Sequence, residues 1–131
     1  MKDLKGLKRV LLKLSGEALA GGKKTGVDEK TVLKVAEQVK QIVDDGVQVA
    51  IVIGGGNFWR GRTSENMERT KADQIGMLAT AMNCIYVSDM FRHAGMQTKV
   101  STTFTCGAFK ELFSTVDAVL NLEDGVVTFF A

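Results

Sequence analysis

Residues 47–57 read VQVAIVIGGGN. The first seven are apolar but for Gln48, mostly β-branched, and stop abruptly at three glycines. A run of that length and chemistry predicts a central strand of a parallel sheet, covered on both faces. The glycines predict a turn at its carboxyl end, with backbone amides left bare for an anion.

The flanking sequence reads outward from this strand. On its amino side, Asp28 has the chemistry of a helix N-cap, with Glu29 in the first turn. Val32, Val35, Ala36, Val39 and Val43 then recur at helical spacing, and Gly46 closes the helix as its C′ residue. Before that helix, residues 20–27 (AGGKKTGV) form a loop rich in Gly and Lys. Earlier still, Arg9–Leu14 (RVLLKL) predicts a short buried strand that stops at Ser15-Gly16. On the carboxyl side, Asp73 opens a second helix marked by Ile75, Leu78, Ala79 and Met82. That helix is expected to run on with a kink to Ala94, with Gly95 as its stop. Residues 98–102 predict a third strand, 107–123 a broken helix, and 126–130 (VVTFF) a fourth strand. Strands alternating with helices imply an α/β fold with a parallel sheet and right-handed crossovers.

The bulk numbers exclude several function classes. A chain of 131 residues suits one domain with one core. Seventeen Lys and Arg against fifteen Asp and Glu leave a net charge of +2, which gives no reason to expect a nucleic-acid or membrane partner. Any bound anion must be held by a local site. Cys84 and Cys106 form no CxxC pair, and with His93 as the single histidine the soft ligands are too few for zinc. Two free thiols in a reducing compartment is the plain reading. The amino terminus lacks the pattern of a signal peptide, and no stretch approaches the ~20 apolar residues of a membrane span. A cytoplasmic protein is expected. Residue 131 falls at the end of an apolar strand, where open α/β sheets place ligand loops. This suggests a fragment or a natural truncation.

Two stretches have the chemistry of phosphate sites. The first is 13–17, KLSGE. Lys13 inside an apolar strand is costly unless its ammonium meets an anion or emerges at the strand end. Gly16 lets the backbone approach a ligand, and amides nearby could cradle phosphate oxygens. The alternative is that Lys13 only snorkels to water. No GxxxxGK[ST] is present, so this is not a Walker A loop. The second stretch is 54–62, GGGNFWRGR, where Arg60 and Arg62 offer planar forks for phosphate. Its alternative is a flexible turn with two solvated arginines. Because both stretches follow strands expected to be parallel, they should share one edge of the sheet. Asp73 either complements a helix dipole or accepts hydrogen bonds from sugar hydroxyls. Trp59 packs or stacks. His93 reads as a dipole partner at a helix end, and Met77 and Met82 as core.

These stretches resemble the bacterial uridylate kinases of the amino-acid-kinase superfamily. The resemblance rests on RVLLKLSGEAL at 9–19, GGGNFWRG at 54–61 and KADQIGMLATAMN at 71–83, with GVVTFFA at 125–131 also similar. It covers nearly the whole chain but about the first half of the family's domain. The helix at 73–80 is what points to the UMP-specific branch.

The resemblance implies a three-layer αβα sandwich with a mainly parallel sheet, truncated here. Residues 1–131 would be the N-terminal part of a single amino-acid-kinase domain, without its C-terminal nucleotide-binding part. It implies phosphoryl transfer from ATP to UMP giving UDP, in pyrimidine nucleotide biosynthesis, with Mg²⁺ accompanying ATP, and usually a homohexamer. Lys13 would be catalytic. Lys13, Leu14, Ser15, Gly16, Gly56 and Arg60 would hold ATP, and Gly55 and Asp73 would bind UMP. The loop of Gly21, Gly22, Lys23, Lys24, Thr25 and Gly26 matches one involved in activation by GTP, and GTP or UTP is the expected effector. The family's Gly-Thr-Gly-Asn-Pro-like UMP loop and its adenine-binding segment do not occur in this sequence. The rival readings are a kinase of the same fold acting on an amino acid or carbamate, and a non-catalytic truncated chain that oligomerises.

Overall fold

The computed structural model describes residues 6–60, 65–104 and 112–131. In chain order the elements are β1 (Arg9–Leu14), α1 (Gly16–Leu19), α2 (Glu29–Asp44), β2 (Gln48–Ile53), α3 (Arg69–His93), β3 (Thr98–Ser101), α4 (Thr115–Glu123) and β4 (Val127–Phe130). The four strands form one sheet in the order β1-β2-β4-β3, and every pairing is parallel. The steps from β1 to β2 and from β2 to β3 run in the same direction across the sheet. Right-handed crossovers therefore place α2 and α3 on one face, and the return step to β4 places α4 on the other. The result is three layers of helix, sheet and helix, as expected.

The core lies between the sheet and the α2–α3 layer. Register aligns Leu12 with Ile51 and Ile51 with Phe129, so these side chains share the face that meets Val32, Ala36, Val39 and Phe91. Phe91 and Phe129 meet edge-to-face, with centroids 5.3 Å apart and planes at 71°. Asp28 caps α2 as its chemistry predicts: Oδ2 accepts from the Thr31 amide at 3.1 Å and from the Thr31 hydroxyl at 2.6 Å. Gly46 (φ +88°) and Gly95 (φ +97°) end α2 and α3 in left-handed conformations, as their positions suggested.

Four expectations need correction. β1 is not buried on both faces. It lies at the edge of the described sheet, with Val10, Leu12 and Leu14 turned inward and Arg9, Leu11 and Lys13 exposed. On that outer face α4 packs on β4 and β2, while Leu11 stays 65% exposed. Second, α1 continues from the point where β1 was expected simply to stop. Third, α3 starts at Arg69 rather than Asp73 and runs as one helix of 25 residues. Its first turn carries a distant contact, the Trp59 indole Nε1 donating to the Ala72 carbonyl at 3.0 Å. Fourth, of the broken helix predicted over 107–123, the described part is non-helical over 112–114 and helical from Thr115, where Ser114 caps it. Just before it, the Phe113 amide donates to the Thr102 carbonyl at 2.7 Å, which holds the chain extended. Residues 107–111 lie outside the described residues, as does Cys106.

Candidate functional site

Both predicted phosphate stretches emerge on the same edge of the sheet. β1 and β2 end in register, Leu14 beside Ile53, and the Gly54 amide donates to the Leu14 carbonyl at 3.0 Å. The two loops then touch at Gly16. A Cβ there would lie 2.6 Å from the Gly54 carbonyl oxygen and 2.9 Å from the Gly56 nitrogen, so only glycine allows this approach. Gly55 is pressed against α3, where an added Cβ would sit 2.9 Å from that of Ala79. The Gly55 carbonyl accepts from the Phe58 and Trp59 amides, each at 3.0 Å, which folds the glycine run into a tight turn.

A buried amide pair locks this turn. Asn57 and Asn83 hydrogen-bond reciprocally, and Asn83 Nδ2 also donates to the Gly54 carbonyl at 2.7 Å. Asn57 Nδ2 in turn donates to the Gly26 carbonyl at 2.8 Å, while the Gly26 amide donates to the Asn57 carbonyl at 3.0 Å. The expected effector loop is thereby tied at Gly26 to the glycine turn. Gly21, Gly22, Lys23, Lys24 and Thr25 are exposed. Sequence reading missed the role of both asparagines. The available signal was Asn83 itself, a polar residue at a core-facing position between Ala79 and Val87.

Beside the turn opens a cleft of about 840 Å³. Gly56, Trp59 and Arg60 line it on one side, and Asp73, Gly76 and Thr80 of α3 on the other. Two residues expected at the ATP phosphates (Gly56, Arg60) thus line the same cleft as the one expected at UMP (Asp73), from the opposite side. Asp73 is exposed and lies one turn inside α3, so it is not the residue that opens the helix. Met77 lines the same cleft and is 43% exposed, and Met82 is 49% exposed, so neither belongs to the core as predicted. Trp59 packs on α3, its indole donating to the Ala72 carbonyl, and it also lines the cleft. Arg62 lies outside the described residues.

Lys13, Leu14, Ser15 and Gly16 adjoin this cleft through the Gly16 contact but do not line it. Lys13 is exposed on the outer face of β1. No burial penalty therefore demands an anion beside it, and its role rests on position. The Ser15 hydroxyl donates to Glu17 Oε2 at 2.5 Å, and Glu17 Oε1 forms an ion pair with Arg60 Nη2. His93 lies exposed in the last turn of α3, as expected of a dipole partner. Cys84 is buried, and burial pushes its thiol up to about 12. Among the described residues, no three His, Cys, Asp or Glu side chains are grouped to hold a metal. No described helix is long and apolar enough to cross a membrane.

Residues 8–129 match the sequence pattern of the amino acid kinase family. The chain belongs to that family. It is 47% identical over 126 residues to the uridylate kinase of Pediococcus pentosaceus, a match covering 95% of this chain and 52% of that protein. The crystal structure of a UMP kinase from Bacillus anthracis superposes with a TM-score of 0.88 at 35% identity, covering 95% of this chain and 52% of the other. A UMP kinase from Ureaplasma parvum gives 0.86 at 29% identity, covering 96% and 54%. An aspartate kinase from Synechocystis gives 0.69 at 12% identity, covering 94% and 21%, and shows the common fold alone. The chain spans about half the length of the uridylate kinase relative it matches.

Proposed function

We propose that this chain carries the phosphate-holding part of a UMP kinase, which transfers a phosphoryl group from ATP to UMP and yields UDP. The observation that carries the reading is the meeting of the two glycine loops at Gly16 beside a cleft lined by Arg60 and Asp73. The 47% identity to a uridylate kinase supports the choice of nucleotide.

Phosphoryl transfer depends on positioning and charge neutralisation more than on covalent chemistry by the protein. Lys13, at the end of β1, stabilises charge on the transferring group. The backbone of Leu14, Ser15 and Gly16, with Gly56 and Arg60, holds the ATP phosphates. Gly55 and Asp73 hold UMP, Asp73 accepting from its sugar hydroxyls. No protein base is needed, because the attacking UMP phosphate oxygen is already ionised. Mg²⁺ bound to ATP supplies charge neutralisation between the phosphates.

GTP or UTP acting at residues 21–26 would reach the site through the bond from Gly26 to Asn57. The exposed apolar stripe of Leu78, Met82 and Ile85 on α3 supports a homo-oligomer, a hexamer by family resemblance. The balanced charge and this chemistry favour a cytoplasmic place in pyrimidine nucleotide biosynthesis.

Trp59, the single tryptophan, lines the cleft and reports on it. Titration with UMP should give a saturable change in its fluorescence, and Asp73→Asn should weaken UMP while leaving ATP binding largely intact. Equal loss of both nucleotides would assign Asp73 to folding. Displacement of UMP by an amino acid or carbamate would favour the rival acceptors.

A further inference from the structure

Glu17 has no part in the roles assigned so far, yet it stands where the two loops meet. Its two carboxylate oxygens are divided between them: Oε2 accepts from the Ser15 hydroxyl at 2.5 Å, and Oε1 pairs with Arg60 Nη2. Ser15 precedes α1 and follows β1, whereas Arg60 follows the glycine turn after β2. The carboxylate also lies directly over that turn. A Cβ added at Gly56 would come within 3.0 Å of Glu17 Cδ. An anionic group is thus already seated against a glycine turn, a hydroxyl and a guanidinium.

A carboxylate presents two negative oxygens in one plane, and so does one edge of a phosphate. An arginine fork donates to either. We propose that Glu17 is a built-in stand-in for nucleotide phosphate, holding Ser15 and Arg60 across the mouth of the site until an incoming phosphate takes its place. This rests on the reading of the two loops as a phosphate site. The exchange runs in the right direction. The Glu17 and Arg60 side chains are 50% and 41% exposed, and ion pairs that open to water are weak. A polyphosphate brings several charges to the same donors, so it prevails over one carboxylate. The consequence is a competition: the carboxylate keeps Arg60 ordered but lowers the affinity for phosphate.

Glu17→Gln keeps the size and an acceptor for Ser15 but removes the charge. Inorganic tripolyphosphate, titrated into the 131-residue chain and followed by the NMR shifts of the Gly16 and Gly56 amides, should bind this variant about two- to fivefold more tightly than the parent, the range expected for release of one exposed ion pair. In an Arg60→Gln background the same substitution should give no gain. Equal affinities of parent and Glu17→Gln overturn the proposal and leave the phosphate site standing. A gain that persists undiminished without Arg60 is a bulk charge effect and also overturns it. If tripolyphosphate shifts neither amide in any form, the phosphate site falls and the proposal falls with it. Amide spectra of the unliganded variants show that each is folded.

Discussion

Asn57 and Asn83 face each other in the core with both amides engaged, Asn57 Nδ2 donating to Asn83 Oδ1 at 3.0 Å and Asn83 Nδ2 to Asn57 Oδ1 at 2.8 Å. Twenty-six residues separate them, and both are at most 3% exposed. Through them the turn after β2 is fastened to α3, and through Gly26 to the loop before α2. Asn83→Ala would remove the partners of the Gly54 carbonyl and of Asn57 Oδ1, while Asn57 Nδ2 keeps its bond to the Gly26 carbonyl. Each buried group left unpaired costs about 1–3 kcal/mol, so the variant should lose on the order of 2–4 kcal/mol in urea unfolding. Asn57→Ala added to it should cost much less than it does alone, because the pair is already broken.

Cys84 gives a chemical test of the same interior. It is buried, near the Phe130 carbonyl at 3.9 Å, and its thiol is pushed up to about 12 by loss of hydration. Only the thiolate reacts at an appreciable rate. A disulfide reagent at pH 8 should therefore leave Cys84 unmodified in the folded chain and label it after denaturation. Peptide mapping by mass spectrometry distinguishes it from Cys106. Rapid labelling of native Cys84 would mean that α3 opens readily.

The strands and α2 were legible because their signals are local. β-branched residues fill 47–53, and Asp28 sits where a cap must sit to meet Thr31. What was hidden depends on partners far along the chain. The first turn of α3 meets Trp59 through the Ala72 carbonyl, and no periodicity in residues 69–72 announces that turn. The apolar residues that marked α3 misled about its buried face. Leu78 and Met82 are exposed, whereas Ala79, Asn83, Val87 and Phe91 face inward. At the site, the meeting of the two glycine loops was legible because each follows a strand and the two strands are parallel, so both loops leave one edge of the sheet. Glu17 was not, since its meaning comes from Arg60, 43 positions away. In RVLLKL the charged Arg9 and Lys13 alternate onto the open side of β1, but Leu11 sits between them on the same exposed face and made the run read as core.

The Asp28 cap carries a pH signature. Hydrogen bonds from the Thr31 hydroxyl and amide, aided by Lys23 and Lys30, hold its carboxyl below the ordinary value of 3.8. A carboxyl lowered in the folded state adds stability above its unfolded value, and that contribution is lost as pH falls through the folded one. Asp28→Ala should therefore lower the melting temperature by a few degrees at pH 7. The gap from the parent should close as the pH drops below 3.8. A gap that stays constant down to pH 2 would show that packing, not the charged cap, is responsible.

Lys13 decides whether the proposed chemistry runs where the sheet edge puts it. Its side chain is exposed on β1, so truncation removes charge without opening a cavity in the core. Stability should stay close to that of the parent, which separates this residue from Asn83. If its ammonium neutralises the transferring phosphoryl group, the loss appears in the chemical step. Lys13→Ala, assayed in a chain spanning the whole length of the family domain, should then lower turnover roughly 10²- to 10³-fold, the scale for removing one preorganised donor. Lys13→Arg keeps the charge but moves and broadens it, so it should recover part of the rate. Turnover within a few-fold of the parent in Lys13→Ala would leave the exposed lysine as a solvated side chain and move the catalytic charge to the cleft wall, where Arg60 and Arg69 stand.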